Sequence, residues 1–512
     1  MANILLLVVP LALQVAAKSV RSPTPPMGWN SYNTWNCQPT EEKIKKSANG
    51  LIELGFNKVG YNFVTIDCGW NLRKRDANGA LQWNTTRFPS GGKALGDFLH
   101  DLGLGFGLYS GPGTCNAAMM ICLRVLDSSS PESQSPARFQ RMAEELEAVD
   151  RGIRYYVCQW GIGTDVGEWA AKIGNTWRIS NDIYGKWRSI WRITNQVVPY
   201  FRHTTTGAYA DMDMLIVGLN SLSEEEERFH FGMWAINKSP LIMGAALDPS
   251  RLKNTSMEIM LNKEIIAINQ DSLAKQAQLV RRDTEGEWDI WMGELSESRH
   301  VLGIANWRND SRTVSVDLKS LGIASATARD VWAAKDAGTV SGSQTLHLAG
   351  HELRIWVLSN VVAAIAPKAG EYYSAAKATL SGSARVVKCA AGACLPTAYK
   401  VGNILNAGSG VTFANVSAET AGKKLLSVDF INYDYAFTTS WGLGDNIRNM
   451  TVAVNGNQAK RWAFPLSGGD WQESLGLHIE VDGFVEGSGN TVEFRGFRNG
   501  TAPDLVGFAV LE

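Results

Sequence analysis

The chain has 512 residues, too many for one hydrophobic core, so two or three domains are expected. Its 49 lysines and arginines balance 50 aspartates and glutamates to a net charge of −1, which gives no electrostatic footing for a nucleic acid or an anionic membrane as partner. The 18 tryptophans are mainly core material, but such a surplus also suits a binder of neutral sugars, whose C–H faces pack on rings.

Residues 4–17 are apolar apart from Gln14 and end in Val15-Ala16-Ala17, the pattern of a secretory signal cleaved after Ala17. A buried N-terminal helix, the alternative, would carry Pro10 in its middle. Secretion and an extracellular location are therefore expected. No later stretch reaches the roughly 20 apolar residues that cross a bilayer. Asn-x-Ser/Thr sequons at Asn84, Asn237, Asn254, Asn309, Asn415, Asn449 and Asn499 fit a glycosylated secreted chain, although Asn237 lies in a helical pattern before Pro240 and is expected to stay unused.

Pro23 to Cys37 reads as an extended entry into a first strand with Asn30, Ser31 and Tyr32 at its end. Glu41 to Leu54 has helical spacing, and Tyr61 to Ile66 is a second strand ending at Asp67. A carboxylate placed after a buried run needs partners or a polar ligand. A hairpin is expected on Asn78-Gly79, a helix over Leu95 to Leu102, and a third strand over Gly105 to Tyr109. From Tyr109 to Ile153 is a span of 44 residues, and a βαβ unit takes about 30 or more. One unit fits there and two do not. The interval holds an apolar patch, in which Ile121 to Leu126 would make a poor strand before Asp127, and then a Ser/Pro-rich linker.

A helix is expected over Arg138 to Val149. Tyr155 to Cys158 is a short buried strand ending in Gln159 and Trp160, and after a helical segment near Glu168 to Lys172 come Asn175, Trp177, Arg178, Asn181 and Asp182 at the end of another run. In a β/α barrel, catalytic groups collect at this edge of the strands. Further on, Trp187 to Val197 is helical, and Ala208 to Val217 brings Asp211 and Asp213 near a strand end. Ser223 and Glu226 form a capping box for a helix through Ile236, Pro240 to Met243 is the last barrel strand, and Glu258 to Asn269 is a closing helix.

From Gln276 to Asn360 the pattern alternates, as antiparallel strands of a small β-sandwich do. His347 and His351 are separated by an Ala-Gly that breaks any helical ligand pair, so no metal is expected there. A linker over 361–370 leads to a second C-terminal β-sandwich over 371–512, with strand-like runs at Gly410 to Phe413, Leu425 to Phe430, Met450 to Val454 and Thr491 to Arg495.

The strings PPMGWNS, IDCGW, CQWG and NTWRISNDI, in this order, resemble the α-galactosidases of glycoside hydrolase family 27. The resemblance implies a (β/α)8 barrel over 18–275 and an antiparallel β domain over 276–360. It implies a hydrolase of terminal non-reducing α-D-galactose in oligosaccharides or galactomannan, working without a cofactor by a retaining two-carboxylate mechanism. Carried onto this sequence, Asp182 is the acid/base, Arg178 contacts the sugar, Tyr32 stacks on it and Asp67 binds its hydroxyls. Tyr109, Cys158, Gln159 and Trp160 complete the pocket. Gln159 stands where many members have Glu, and Cys68 where many have a second Asp. DMDML resembles a family string with a structural role. The third module, with VNG, a later Phe-Pro and GNTVEF, resembles carbohydrate-binding modules of the family 35 type, but its first strand, YYSAAKATLSG, lacks the acidic calcium ligands such modules often have. The resemblance implies a bridge between Cys37 and Cys68 and a free Cys158 in the pocket; Cys389 and Cys394 are candidates to close a short loop, and Cys115, whose usual partner just after the nucleophile is absent, has Cys122 as a substitute candidate.

The family's nucleophile lies in an L-K-Y-D-like string on the strand before CQWG, and this sequence contains no such string. The barrel is therefore expected to lack one β/α unit. Three explanations stand open: a coding sequence that omits the strand, an inactive relative that binds galactosides as a lectin does, or a substitute nucleophile, for which only Asp127 is in position. Retaining glycosidases need two carboxyls about 5–5.5 Å apart, and an acid alone cannot form the glycosyl-enzyme intermediate.

Overall fold

A computed structural model describes residues 22–110, 135–161, 165–365, 367–434 and 445–512. The expected signal segment, the 121–126 run, Asp127, Cys115 and Cys122 lie outside these residues. Among the described residues no helix is long and apolar enough to cross a membrane.

Short apolar runs separated by helical ones dictate parallel pairing, since parallel strands must be joined by a crossover. The first half of the chain runs β1 (Met27–Asn30), α1 (Tyr32–Trp35), α2 (Glu41–Glu53), β2 (Phe63–Ile66), α3 (Gly91–Asp101), β3 (Gly105–Leu108) and α4 (Ser135–Ala148). It continues with β4 (Tyr156–Cys158), α5 (Val166–Ile173), β5 (Thr176–Arg178), α6 (Trp187–Val197), β6 (Tyr209–Asp211), α7 (Glu224–Ile236), β7 (Leu241–Met243), α8 (Asn254–Met260) and α9 (Lys263–Asn269). The strands form two parallel arcs, β3-β2-β1-β7 and β4-β5-β6, and a parallel bridge between Leu215 and Met243 joins them on one side.

Seven parallel strands of the expected (β/α)8 barrel are thus present among the described residues. The interval falls between β3 and β4, where the sequence is a unit short. Strands of a parallel barrel are normally covered on both faces, yet Leu108 at the end of β3 is 42% exposed, whereas every residue of β5 is buried. The rings of Phe63 on β2 and Tyr156 on β4 meet at 5.9 Å and link the two arcs. Gly28 on β1 makes room for that packing, because a Cβ there would stand 2.8 Å from the Phe63 ring.

The helices start where side chains satisfy their free amides. Thr40 caps α2, Asp165 caps α5, and Ser223 with Glu226 closes a capping box on α7. The single closing helix expected over Glu258 to Asn269 is instead two, because Asn262 accepts the amides of Glu264 and Ile265 and starts α9 afresh. Inside, Trp29, Val64 and Ile66 pack with Ile44, Leu51, Leu95 and Leu99, all fully buried. Each such side chain contributes about 1.5–3 kcal/mol.

The second domain is antiparallel throughout. A six-stranded sheet from β8 (Gln278–Asp283) to β15 (Leu353–Ala363) faces a two-stranded one around a core that includes Ile304, Val316, Val340 and Trp356. The third is a sandwich of a six-stranded and a five-stranded sheet between β16 (Ala369–Ser374) and β26 (Asp504–Leu511). Disulfides join Cys37 to Cys68 in the barrel and Cys389 to Cys394 in the third domain.

Candidate active site

The C-terminal ends of β1, β2, β5 and β6 bring four polar residues to one edge of the barrel. Asn30, the last residue of β1, donates from Nδ2 to Oδ2 of Asp67 at 3.0 Å, just beyond β2. The Cys68 amide donates to the other oxygen of Asp67 at 2.8 Å, and the Ser31 hydroxyl receives the amide of Asp67. Burial pushes the Asp67 carboxyl up, opposed by the bonds from Cys68 and Asn30, and the Asp182 charge raises it further. Those two carboxylates therefore share one electrostatic environment.

Arg178 closes β5 and forms the floor of the site. Its Nη2 stands 2.9 Å from Asp182 Oδ1 and 2.9 Å from Asp213 Oδ2, and it also donates to the Ser180 carbonyl at 3.1 Å. The Arg178 and Asp213 side chains are 10% and 6% exposed, while that of Asp182 is 41% exposed. Asp182 is thus the member of the cluster that a ligand can reach. Asp213 takes the amides of Ile183 and Met214 and is held by a left-handed turn, φ 84°. Burial raises its carboxyl to about 7.

Two tyrosines complete the cluster. Tyr32 is 39% exposed, and its hydroxyl is pushed up by burial and then by the charges of Asp182 and Asp67. Tyr109 is raised by burial and by the same two carboxylates. The structure therefore brings Tyr32, Asp67, Tyr109, Arg178 and Asp182 together. Gln159 is buried, with its Oε1 turned back onto the Gly161 amide at 2.9 Å, and buried Trp160 gives its amide to the Arg178 carbonyl. One expectation is overturned: Cys158 is not a free thiol but is disulfide-bonded. Its sulfur lies 3.9 Å from Nη1 of Arg178, so the bridge anchors the end of β4 beside the site. Among the described residues no group of His, Cys, Asp and Glu is arranged to hold a metal ion; His351 instead stacks on Trp187 and bonds Glu226.

Sequence reasoning did not place in the site Asn30 or Arg192, a buried residue of α6 that donates to the Asp182 carbonyl. Asn30 was visible as a strand-end amide. Arg192 gave no signal, since an arginine in an amphipathic helix reads as solvent-facing.

The pattern of the family described as Alpha galactosidase A matches residues 24–123 and 122–271, and that of the Alpha galactosidase C-terminal beta sandwich domain matches 285–358. Proteins named probable alpha-galactosidase D from Aspergillus niger and Aspergillus fumigatus are 32% and 33% identical, each over 96% of this chain and 96% of its own. The crystal structure of alpha-galactosidase I from Mortierella vinacea superposes with a TM-score of 0.63 at 28% identity, over 67% of this chain and 99% of that one. A putative alpha-galactosidase from Bacteroides fragilis gives 0.62 at 27%, over 67% and 81%. The two pieces of the barrel match meet at residues 122–123. Against 512 residues, the 634 aligned positions with the A. niger protein leave at least 122 positions that this chain does not fill. This chain belongs to the α-galactosidases of glycoside hydrolase family 27.

Proposed function

We propose that the barrel edge binds a terminal non-reducing α-D-galactose of oligosaccharides or galactomannan, and that Asp182 is the general acid/base of its hydrolysis in a secreted enzyme. The observation that carries this is the Arg178 guanidinium shared between exposed Asp182 and buried Asp213, with Asp67 close enough to feel the Asp182 charge. Tyr32 offers a ring face to the sugar, and Arg178 and Asp67 offer donors and acceptors to its hydroxyls. Asp182 is placed to give its proton to the departing glycosidic oxygen and, once an intermediate exists, to take one from water. No cofactor enters. The ancestry shared with proteins named alpha-galactosidase supports the choice of sugar.

The retaining mechanism needs a second carboxylate on the anomeric carbon, and the missing L-K-Y-D-like string favours a second reading, a galactoside-binding protein without turnover. Assaying the purified chain on a chromogenic α-galactoside, with galactose binding measured by calorimetry, separates the two. Turnover supports the enzyme, and binding without turnover supports the lectin-like protein. Absence of galactose binding defeats both.

A further inference from the structure

The loop from Ile179 to Lys186 carries Asp182 between β5 and α6 without regular structure of its own. It is held from beneath by α6. Arg192, fully buried, donates from Nη1 to the Ser180 hydroxyl at 2.7 Å and to the Asn181 side-chain carbonyl, and from Nη2 to the Asp182 carbonyl at 3.3 Å. One helical turn on, Gln196 donates to the Ile179 carbonyl. Among the described residues no carboxylate pairs with Arg192, and a buried cation without a counter-ion is costly. Such a group persists where its hydrogen bonds fix something the fold needs fixed.

The same stripe of α6 is gripped by the third domain. Asn446, 2% exposed and in the left-handed region at φ 54°, donates from Nδ2 to the Arg192 carbonyl at 3.2 Å and to Gln196 Oε1 at 2.9 Å. Asp445 pairs with Arg188 at 2.9 Å, and the Leu466 amide reaches the Asn195 carbonyl. Beyond the helix, Arg202 donates to the Ser467 carbonyl at 3.1 Å. Gly469 lies so close to Asp165 that a Cβ on it would stand 2.2 Å away. A tethered binding appendage would keep these polar groups in water. Here Asp445, Asn446 and Leu466 are mated to the helix under the acid/base loop, and Ser467 and Gly469 to the barrel beside it.

We infer that the third domain is a fixed brace of the Asp182 loop, acting through α6, and that Arg192 and Asn446 are positioning residues for the Asp182 carboxylate. The inference rests on the reading of Asp182 as the acid/base. Its test uses the full chain and Asn446→Ala, because Arg192→Ala leaves a buried hole and Arg192→Lys serves better as the conservative partner.

Hydrogen exchange is expected to quicken by about tenfold in peptides covering Ile179 to Tyr184 in Asn446→Ala. Quickening confined to residues around 446 overturns the brace. On α-galactosides with poor leaving groups, which need the acid most, kcat is expected to fall about tenfold, with KM and the rate on a nitrophenyl galactoside held within about twofold. Equal losses on both substrates overturn the positioning role, and Arg192→Lys is expected to fall between wild type and Asn446→Ala. If the wild-type chain does not turn over, whether or not it binds galactose, the acid/base reading fails by itself, while the exchange pattern still decides the brace.

Discussion

Nη2 of Arg178 stands 2.9 Å from Asp182 Oδ1 while the same nitrogen stands 2.9 Å from Asp213 Oδ2, so one guanidinium serves a reachable carboxylate and a buried one. Removing the arginine has two separable effects. Asp182 loses its orienting partner, and Asp213, already raised to about 7 by burial, loses the charge that opposes that rise, so it must hold its proton to higher pH or stay as an uncompensated buried charge costing up to about 3–5 kcal/mol. Arg178→Ala is therefore expected to lower the unfolding midpoint sharply and abolish galactose binding. The double variant Arg178→Ala/Asp213→Asn should recover much of the stability and none of the binding. Denaturation and calorimetry on the three proteins check this. Recovery of binding in the double variant would remove Arg178 from the sugar site.

The Asp213 carboxyl also sets a pH dependence. Burial lifts it to about 7 from an ordinary value of 3.8. Between about pH 4 and pH 7 the unfolded chain has released this proton and the folded chain has kept it. The folded state then binds more protons, so stability falls as pH rises through the window, by at most about 1.4 kcal/mol per pH unit. Asp213→Asn removes that contribution. The stability of the variant relative to wild type is expected to improve by up to about 4 kcal/mol between pH 4 and pH 8. Melting both proteins across this range tests it, and parallel pH profiles would contradict the assignment.

Asp67, Arg178 and Asp182 were legible in the sequence because each sits at or just past the end of a short apolar run, where a strand must stop and a polar group must find a use. Asp213 was read as structural, and its bond to Arg178 depends on a left-handed turn two residues beyond β6 that no local pattern announces. Arg192 was not legible for a different reason. Its guanidinium is taken up by the Ser180 to Asp182 loop of the barrel, and its carbonyl is bonded by Asn446, 254 positions away. Cys158 was misjudged on a resemblance, since pairing depends on three-dimensional approach that spacing does not encode. The interval between β3 and β4 is, as arithmetic, a span too short for two βαβ units, and its residues 111–134 lie outside the described ones.

That interval governs catalysis. With Asp182 in place but no nucleophile string, hydrolysis is expected to run roughly 10⁴-fold or more below a two-carboxylate retaining enzyme. Azide, a small anion able to attack the anomeric carbon from the face opposite the leaving group, is expected to raise the release of nitrophenol from nitrophenyl α-galactoside. The C–N bond forms as the C–O bond to the leaving group breaks, and the product is the β-galactosyl azide. Product analysis by NMR checks the configuration. Azide-insensitive turnover with retention would instead reveal a substitute nucleophile.

One buried ion pair is costly to break from one side only. Arg282 on β8 grips Asp289 through Nε and Nη2 at 2.8 and 2.7 Å, with both side chains at most 2% exposed. Its remaining nitrogen reaches Asn195 of α6 at 2.7 Å, and Trp307 Nε1 donates to Asp289 at 2.8 Å. Asp289→Ala leaves the guanidinium buried and unpaired, at an expected cost of about 3–5 kcal/mol, whereas Arg282→Met with Asp289→Leu is expected to cost far less. Urea denaturation of the single and double variants checks the order. A double variant no better than Asp289→Ala would show that the bonds to Asn195 and Trp307 carry the stability.

The sequons divide by burial, and a secretory host tests the division. Asn237 is fully buried at the end of α7, with Nδ2 donating to the Met233 carbonyl at 2.9 Å, and a glycan there has no path to solvent. Asn84 and Asn449 are half-buried, with their side-chain oxygens bonded to Arg87 and Arg461. Asn254, Asn309, Asn415 and Asn499 are exposed. Glycan addition requires an accessible side chain in an exposed segment. Peptide mapping after enzymatic deglycosylation is expected to find the four exposed sites occupied and Asn237 unmodified. Since glycans are added to chains that are still folding, occupancy at Asn237 would mean that the packing of α7 against α8 and α9 forms late, and such a glycan would leave the barrel unable to close on that side.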